Sequence, residues 1–156
     1  MKMLRILPLF ILASLALASC KKDKNDEPSG DYFQYKVDGK DYKVEGILAY
    51  ATTFSIGSET GIYGLTGDGN QEVCFITLPT ASTKGTYTFS TSVRGNFTDA
   101  NKTDYSSLWG TGSGSVTIEE IDAAHVKGTF QFTAFDGDTE LKKKTITDGK
   151  FDVSFR

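Results

Sequence analysis

Phe33-Gln34-Tyr35-Lys36-Val37-Asp38-Gly39-Lys40-Asp41-Tyr42-Lys43-Val44 reads as a β-hairpin. Phe33, Tyr35 and Val37 alternate with Gln34 and Lys36, Asp38-Gly39 supplies a two-residue turn, and Tyr42 and Val44 alternate on the return. Further candidate strands follow at residues 46–54, 61–65, 73–78, 86–91, 104–109, 115–120, 126–135 and 145–155, the last broken by Asp148-Gly149. No stretch after Cys20 keeps a 3.6-residue apolar period, so helix is expected to be nearly absent, with a turn at 121–124 its best site. The 19 threonines that follow residue 19 suit strands, where β-branched side chains pack well. The predicted class is therefore all-β: an antiparallel β-sandwich of about nine or ten short, mostly hairpin-connected strands, with a meander barrel as the alternative. Residues 73–78 are apolar on both faces, which favours the sandwich and places that strand in the middle.

The start of the chain has a different character. Lys2 and Arg5 precede a 13-residue run, 6–18, that is apolar apart from Pro8 and Ser14. A spanning helix needs about 20 apolar residues, so this pattern is a secretory signal and not a membrane anchor. Leu17-Ala18-Ser19-Cys20 resembles the bacterial lipobox. The resemblance implies that the Cys20 thiol takes a diacylglyceryl group and that the chain is cut just before it. Residues 21–31 hold no apolar side chain and cannot pack, so they read as a solvated tether. The organisation expected is a signal peptide at 1–19, a lipidated tether at 20–31 and a single β-domain at 32–156. Lysines mixed with acids directly after the cysteine resemble the export signal of surface lipoproteins in Bacteroidota. That resemblance implies an outer-membrane lipoprotein on the cell surface, the periplasmic face being the alternative.

Composition narrows the partners. The 156 residues carry a formal net charge of −3 with a pI near 5.2, and without the leader 15 basic residues face 20 acidic ones. A nucleic-acid binder needs a basic face, so no nucleic-acid partner is expected. With Cys20 acylated, Cys74 is the one thiol left, and within the apolar run 73–78 it reads as a small buried hydrophobe. His125 is the sole histidine, which excludes multi-histidine metal sites, and no Gly-x-Ser-x-Gly elbow is present. It is expected to be solvated or locally hydrogen-bonded. Asp68-Gly69-Asn70-Gln71-Glu72 and Asp136-Gly137-Asp138-Thr139-Glu140 look faintly like calcium loops, but Val73 and Leu141 stand where an EF-hand needs glycine. They read as turns, so neither metal nor cofactor is implied.

Trp109 stands beside the glycine-rich stretch Gly110-Thr111-Gly112-Ser113-Gly114, which reads as a hairpin loop. A lone tryptophan there is either a core residue or a ligand contact. On a regular strand Tyr105, four residues earlier, points to the same face, so Trp109 and Tyr105 are the candidate ligand-binding pair.

Lys84-Gly85-Thr86-Tyr87-Thr88-Phe89 is echoed by Lys127-Gly128-Thr129-Phe130-Gln131-Phe132. Together with Gly114-Ser115-Val116-Thr117-Ile118 and Thr145-Ile146-Thr147-Asp148-Gly149-Lys150-Phe151, these motifs resemble those of small uncharacterised lipoproteins of Bacteroidota. The resemblance runs from about residue 51 to 155, and its motifs are structural, so it carries no site residues. The expectation is a lipid-anchored envelope protein, non-enzymatic, binding a glycan, a small ligand or an envelope partner and held to the membrane by its lipid. A carboxylate-dependent hydrolase and a purely structural envelope protein are the alternatives.

Overall fold

The computed structural model describes residues 30–67, 71–137 and 142–156. The leader, residues 20–29 of the tether with Cys20, and most of the two calcium-like segments lie outside the described residues.

Eleven strands are present among the described residues: β1 (Tyr32–Val37), β2 (Lys40–Glu45), β3 (Ala49–Phe54), β4 (Glu59–Leu65), β5 (Val73–Pro79), β6 (Gly85–Thr88), β7 (Arg94–Thr98), β8 (Asp104–Ser106), β9 (Ser113–Ile121), β10 (His125–Asp136) and β11 (Lys143–Ser154). The all-β antiparallel class is the one expected. Among the described residues the helical exception is a single 3-10 turn at Gly46–Leu48, not the turn at 121–124. There Asp122 Oδ1 accepts the N–H groups of Ala124 and His125 at 2.8 and 2.9 Å and closes the β9–β10 hairpin.

All strands belong to one sheet, ordered β2-β1-β11-β10-β8-β7-β5-β4-β3, with β9 also on β10 and β6 on β9. A parallel bridge between Ala51 and Phe155 brings β3 back to the end of β11, so the sheet curls until it nearly closes. β10 is the corner: its residues 126–133 pair with β9, whereas Phe135 and Asp136 pair with β8. The curl produces two facing layers, β6-β9-β10-β11-β1-β2 and β3-β4-β5-β7-β8. Phe33, Tyr35, Phe130, Phe132, Ile146 and Phe151 of the first meet Ile62, Cys74, Ile76, Leu78 and Phe97 of the second. Each such side chain contributes about 1.5–3 kcal/mol by leaving water.

Two glycines set how closely the layers approach. A Cβ on Gly64 would stand 2.5 Å from the ring of Phe33, and one on Gly95 would stand 2.7 Å from the ring of Phe132. Aromatic side chains of one layer thus fill space that the other layer leaves open.

The strand expected at 46–54 starts at Ala49 and the one expected at 86–91 ends at Thr88, and three further departures reshape the sheet. β7 was not expected, because Arg94-Gly95-Asn96-Phe97-Thr98 carries one large apolar side chain and shows no alternation. Asp148-Gly149 does not break the last strand. β11 runs through it, and a register shift against both β10 and β1 marks a bulge with Asp148 at φ 53°. The strand expected at 104–109 ends at Ser106, where Gly95 and Ser107 exchange bonds: Gly95 N–H donates to Ser107 Oγ at 3.0 Å, and Ser107 N–H donates to Gly95 O at 2.9 Å.

Candidate functional site

Outward positions of the first layer line up across strands. Register places Lys43 opposite Gln34, Gln34 opposite Lys150, Lys150 opposite Thr129, and Thr129 opposite Thr117. The row ends where Thr86 and Thr117 share a hydroxyl hydrogen bond of 2.9 Å. One step along the strands, Asp41, Lys36, Gln131 and Ser115 form a second polar row. An open groove of about 730 Å³ lies over these rows, within the range of small-molecule sites.

The groove presents amides, hydroxyls, lysines and carboxylates, and the core residues Tyr35, Tyr42 and Phe130 form part of its floor. Lys36, Lys43 and Lys150 supply positive charge against Asp41 and Asp148. The bulge aims Asp148 at Lys36, whose Nζ lies 2.9 Å from Asp148 Oδ2. That hydrogen bond, then the charges of Asp148 and Asp41, hold the Lys36 ammonium above the usual lysine range. Chemically, such a surface can donate and accept many hydrogen bonds at once. Asp41 and Asp148 both line the groove, but a general acid needs an apolar pocket that keeps it protonated. The Asp148 side chain is instead 65% exposed and ion-paired.

Serine, histidine and aspartate also meet at one end of the same face. His125 Nε2 shares a hydrogen bond with Asp152 Oδ1, and Lys127 Nζ lies 3.3 Å from Asp152 Oδ2. Ser154 stands opposite His125 in register. Its hydroxyl, however, donates to Asp31 Oδ1 at 2.8 Å, so its proton is committed to a carboxylate and not to the imidazole. The nucleophile–base bond that acyl transfer requires is not made here.

The structure separates the two residues singled out from the sequence. Tyr105 is buried, its ring 6.2 Å from that of Phe97, with its hydroxyl 3.5 Å from Asp99 Oδ2. Trp109 lies at the surface, 38% exposed, its indole resting on Gly137. The four-residue spacing presupposed a continuous strand, but turn bonds from Trp109 N–H to Ser106 O and from Gly112 N–H to Trp109 O curl the backbone. They form no common exposed patch; the exposed apolar neighbour of Trp109 is Leu108.

A different aromatic row, missed in the sequence, crosses the outer face of the second layer. Tyr50, Tyr63 and Phe75 are register partners, and successive rings stack with centroids 5.2 Å apart. Phe54 adds an edge contact to Tyr63 at 6.5 Å. Beside the row, Arg94 grips Glu59 with two hydrogen bonds of 2.8 Å, and these hold the Glu59 carboxyl below the usual range. The signal lay in residues 73–78: a strand apolar on both faces puts Phe75 on the side away from Cys74, Ile76 and Leu78. Cys74 is fully buried, and burial pushes its thiol well up.

Fold and groove together define a small antiparallel β-domain with one concave polar face. Residues 31–153 match a domain of unknown function, DUF6252, and the chain belongs to that family. No curated protein and no solved structure matches it.

Proposed function

We propose that the protein is a lipid-anchored outer-membrane protein of the cell surface, held by Cys20, whose β-domain is a non-enzymatic binding module for a glycan. The groove over β1, β2, β9, β10 and β11 carries this reading. Its paired rows of amide, hydroxyl and lysine groups suit a polyhydroxylated ligand. The lipobox and the lysine- and acid-rich tether directly after it carry the anchoring half. Loss of Cys20 in Cys20→Ser abolishes detergent-phase partitioning on this reading.

The test is a glycan array probed with residues 30–156, followed by titration of any hit against Gln131→Ala and Lys150→Ala. Each lost charge-assisted or amide contact weakens binding by about 1–3 kcal/mol, roughly five- to 150-fold. An array without hits, or hits that ignore both substitutions, overturns the groove as the site. A hydrolase is the second reading, favoured by Asp41 and Asp148 flanking one groove. Turnover of a bound glycan that Asp148→Asn abolishes decides for it.

A further inference from the structure

The direction of three strands fixes which end of the domain faces the tether. β1 runs antiparallel to β11, and β3 meets the end of β11 in a parallel bridge. β3 therefore finishes at the end where β1 begins, and the β3–β4 hairpin tip, residues 55–58, projects from the end at which the tether arrives. The hydrogen bonds agree. Asp31, where the chain enters, receives Arg156 Nη2 at 2.5 Å and Ser154 N–H at 2.9 Å. Arg156 N–H in turn donates to Ala51 O in mid-β3, at 2.8 Å. A shared hollow lined by Thr53, Thr60, Asp122 and Arg156 ties the hairpin's base to the β9–β10 turn and to the chain's point of entry.

Among the described residues, that end carries most of the exposed large apolar side chains. Ile56 at the hairpin tip is 93% exposed and Phe54 is 42% exposed. Ile47, 79% exposed, follows Gly46, whose N–H donates to Asp31 O at 2.8 Å beside the entering chain. Leu108 and Trp109 lie at the opposite end, since β8 pairs with the last residues of β10. The tip is held in shape: Gly57 and Ser58 take positive φ, 88° and 52°, and Ser58 O accepts Thr80 N–H at 2.8 Å. An isoleucine exposed to this degree on a fixed turn gains nothing from water, and its burial is favourable wherever an apolar phase is near.

Here the length of the tether matters. Asp31 lies eleven residue steps beyond Cys20, so even fully extended the chain between them spans at most about 36–40 Å. A domain held that close meets the bilayer at high effective concentration, and a small apolar tip suffices for contact. We propose that the β3–β4 hairpin tip, led by Ile56 with Phe54 behind it, inserts into the interfacial region of the lipid surface that anchors the protein. The contact orients the domain, turns the flank that carries the groove sideways and points Trp109 away from the membrane. This inference rests on lipidation of Cys20 in the reading above.

The experiment uses the full lipidated protein in vesicles of phosphatidylethanolamine and phosphatidylglycerol. An environment-sensitive NBD label is placed at Ile56→Cys or, at the far end, at Thr111→Cys; buried Cys74 does not compete for it. The expected result is a blue shift and a several-fold loss of iodide quenching at position 56 on addition of vesicles, with neither change at 111. Label-free hydrogen exchange of residues 54–58 slows several-fold in vesicles relative to the soluble Cys20→Ser protein. If the protein floats with vesicles but both labels stay equally quenched, tip insertion is overturned and the anchor stands. If intact mass shows no lipid on Cys20 and the protein does not float, the anchor reading falls and takes this inference with it. A label at 56 already blue-shifted without vesicles means the tip packs against protein, which also overturns it.

Discussion

Tyr35 and Tyr42 offer a matched pair of hydroxyls whose removal has opposite signs. Their rings stack 5.0 Å apart and nearly parallel, on neighbouring strands. Tyr42 donates its hydroxyl to Glu72 Oε1 at 3.1 Å, whereas Tyr35 Oη is buried with no hydrogen-bond partner among the described residues. Burial first, then the charges of Cys74, Tyr42 and Glu72, push the Tyr35 phenol far above its ordinary value. An unsatisfied buried hydroxyl costs about 1–3 kcal/mol of desolvation. Tyr35→Phe keeps every ring contact, with Phe33, Tyr42, Phe97 and Phe130, and removes that cost. The void of one oxygen takes back part of the gain. A net stabilisation of about 1 kcal/mol is expected, which raises Tm by roughly 3–5 °C in a domain of this size. Tyr42→Phe leaves a buried carboxylate short of a donor and is expected to lower stability by about 1–2 kcal/mol. Urea unfolding followed by circular dichroism measures both. A Tyr35→Phe variant less stable than wild type would refute the reasoning, because its hydroxyl must then be making a bond worth more than its desolvation.

Three further outcomes follow from individual sites. Cys74, buried and with its thiol pushed well up, resists a thiol reagent at pH 8 in the folded protein and reacts at once in denaturant. Burial alone would raise Asp31, but hydrogen bonds from Ser154 and Arg156 outweigh it and hold the carboxyl below its usual range. A carboxyl depressed in the folded state stabilises above its unfolded value, near pH 4, and that stability disappears as pH falls through the folded value. Asp31→Asn is therefore less stable than wild type at pH 7, and urea midpoints of the two converge below about pH 4. Trp109→Ala is expected to cost about 1–2 kcal/mol, below the 3–5 of a fully enclosed aromatic, with native emission at the red end. A cost in the higher range places the indole in the core.

The β1–β2 hairpin was legible because every signal in it is local. Alternation and Asp38-Gly39 sit within 12 residues, and both turn residues take the positive φ, 50° and 85°, that such a turn demands. β7 was illegible for the converse reason. Gly95 is there to admit Phe132, a residue 37 positions later, and only the assembled layers explain it. The groove is illegible in the same way. Gln34, Lys150, Thr129 and Thr117 become neighbours through the order β1-β11-β10-β9, and nothing in their separate strands distinguishes them from ordinary solvated positions. Tyr105 and Trp109 failed differently, since their spacing was read on a strand that stops at Ser106.

The bulge in β11 ties the groove to the fold most tightly, and it tests whether the groove is built for a ligand. Two residues share it, and each is committed. Gly149 must lack a side chain, because a Cβ there would stand 2.5 Å from Phe130 O. Asp148 takes the left-handed conformation at φ 53°, which costs a side chain other than glycine roughly 1 kcal/mol or more. Glycine at 148 would remove that strain, at the expense of about 0.5–1 kcal/mol of extra chain entropy. It would also lose the ion pair with Lys36, whose partners are both solvated and which therefore adds little. These terms nearly cancel, so Asp148→Gly is expected to leave stability within about 1 kcal/mol of wild type. Stability therefore gives little reason for an aspartate at this position. If the carboxylate is there to fix Lys36 and meet a ligand, the same substitution weakens glycan binding tenfold or more while the urea midpoint barely moves. A loss of stability well beyond 1 kcal/mol, with binding unchanged, would assign the bulge to the sheet alone.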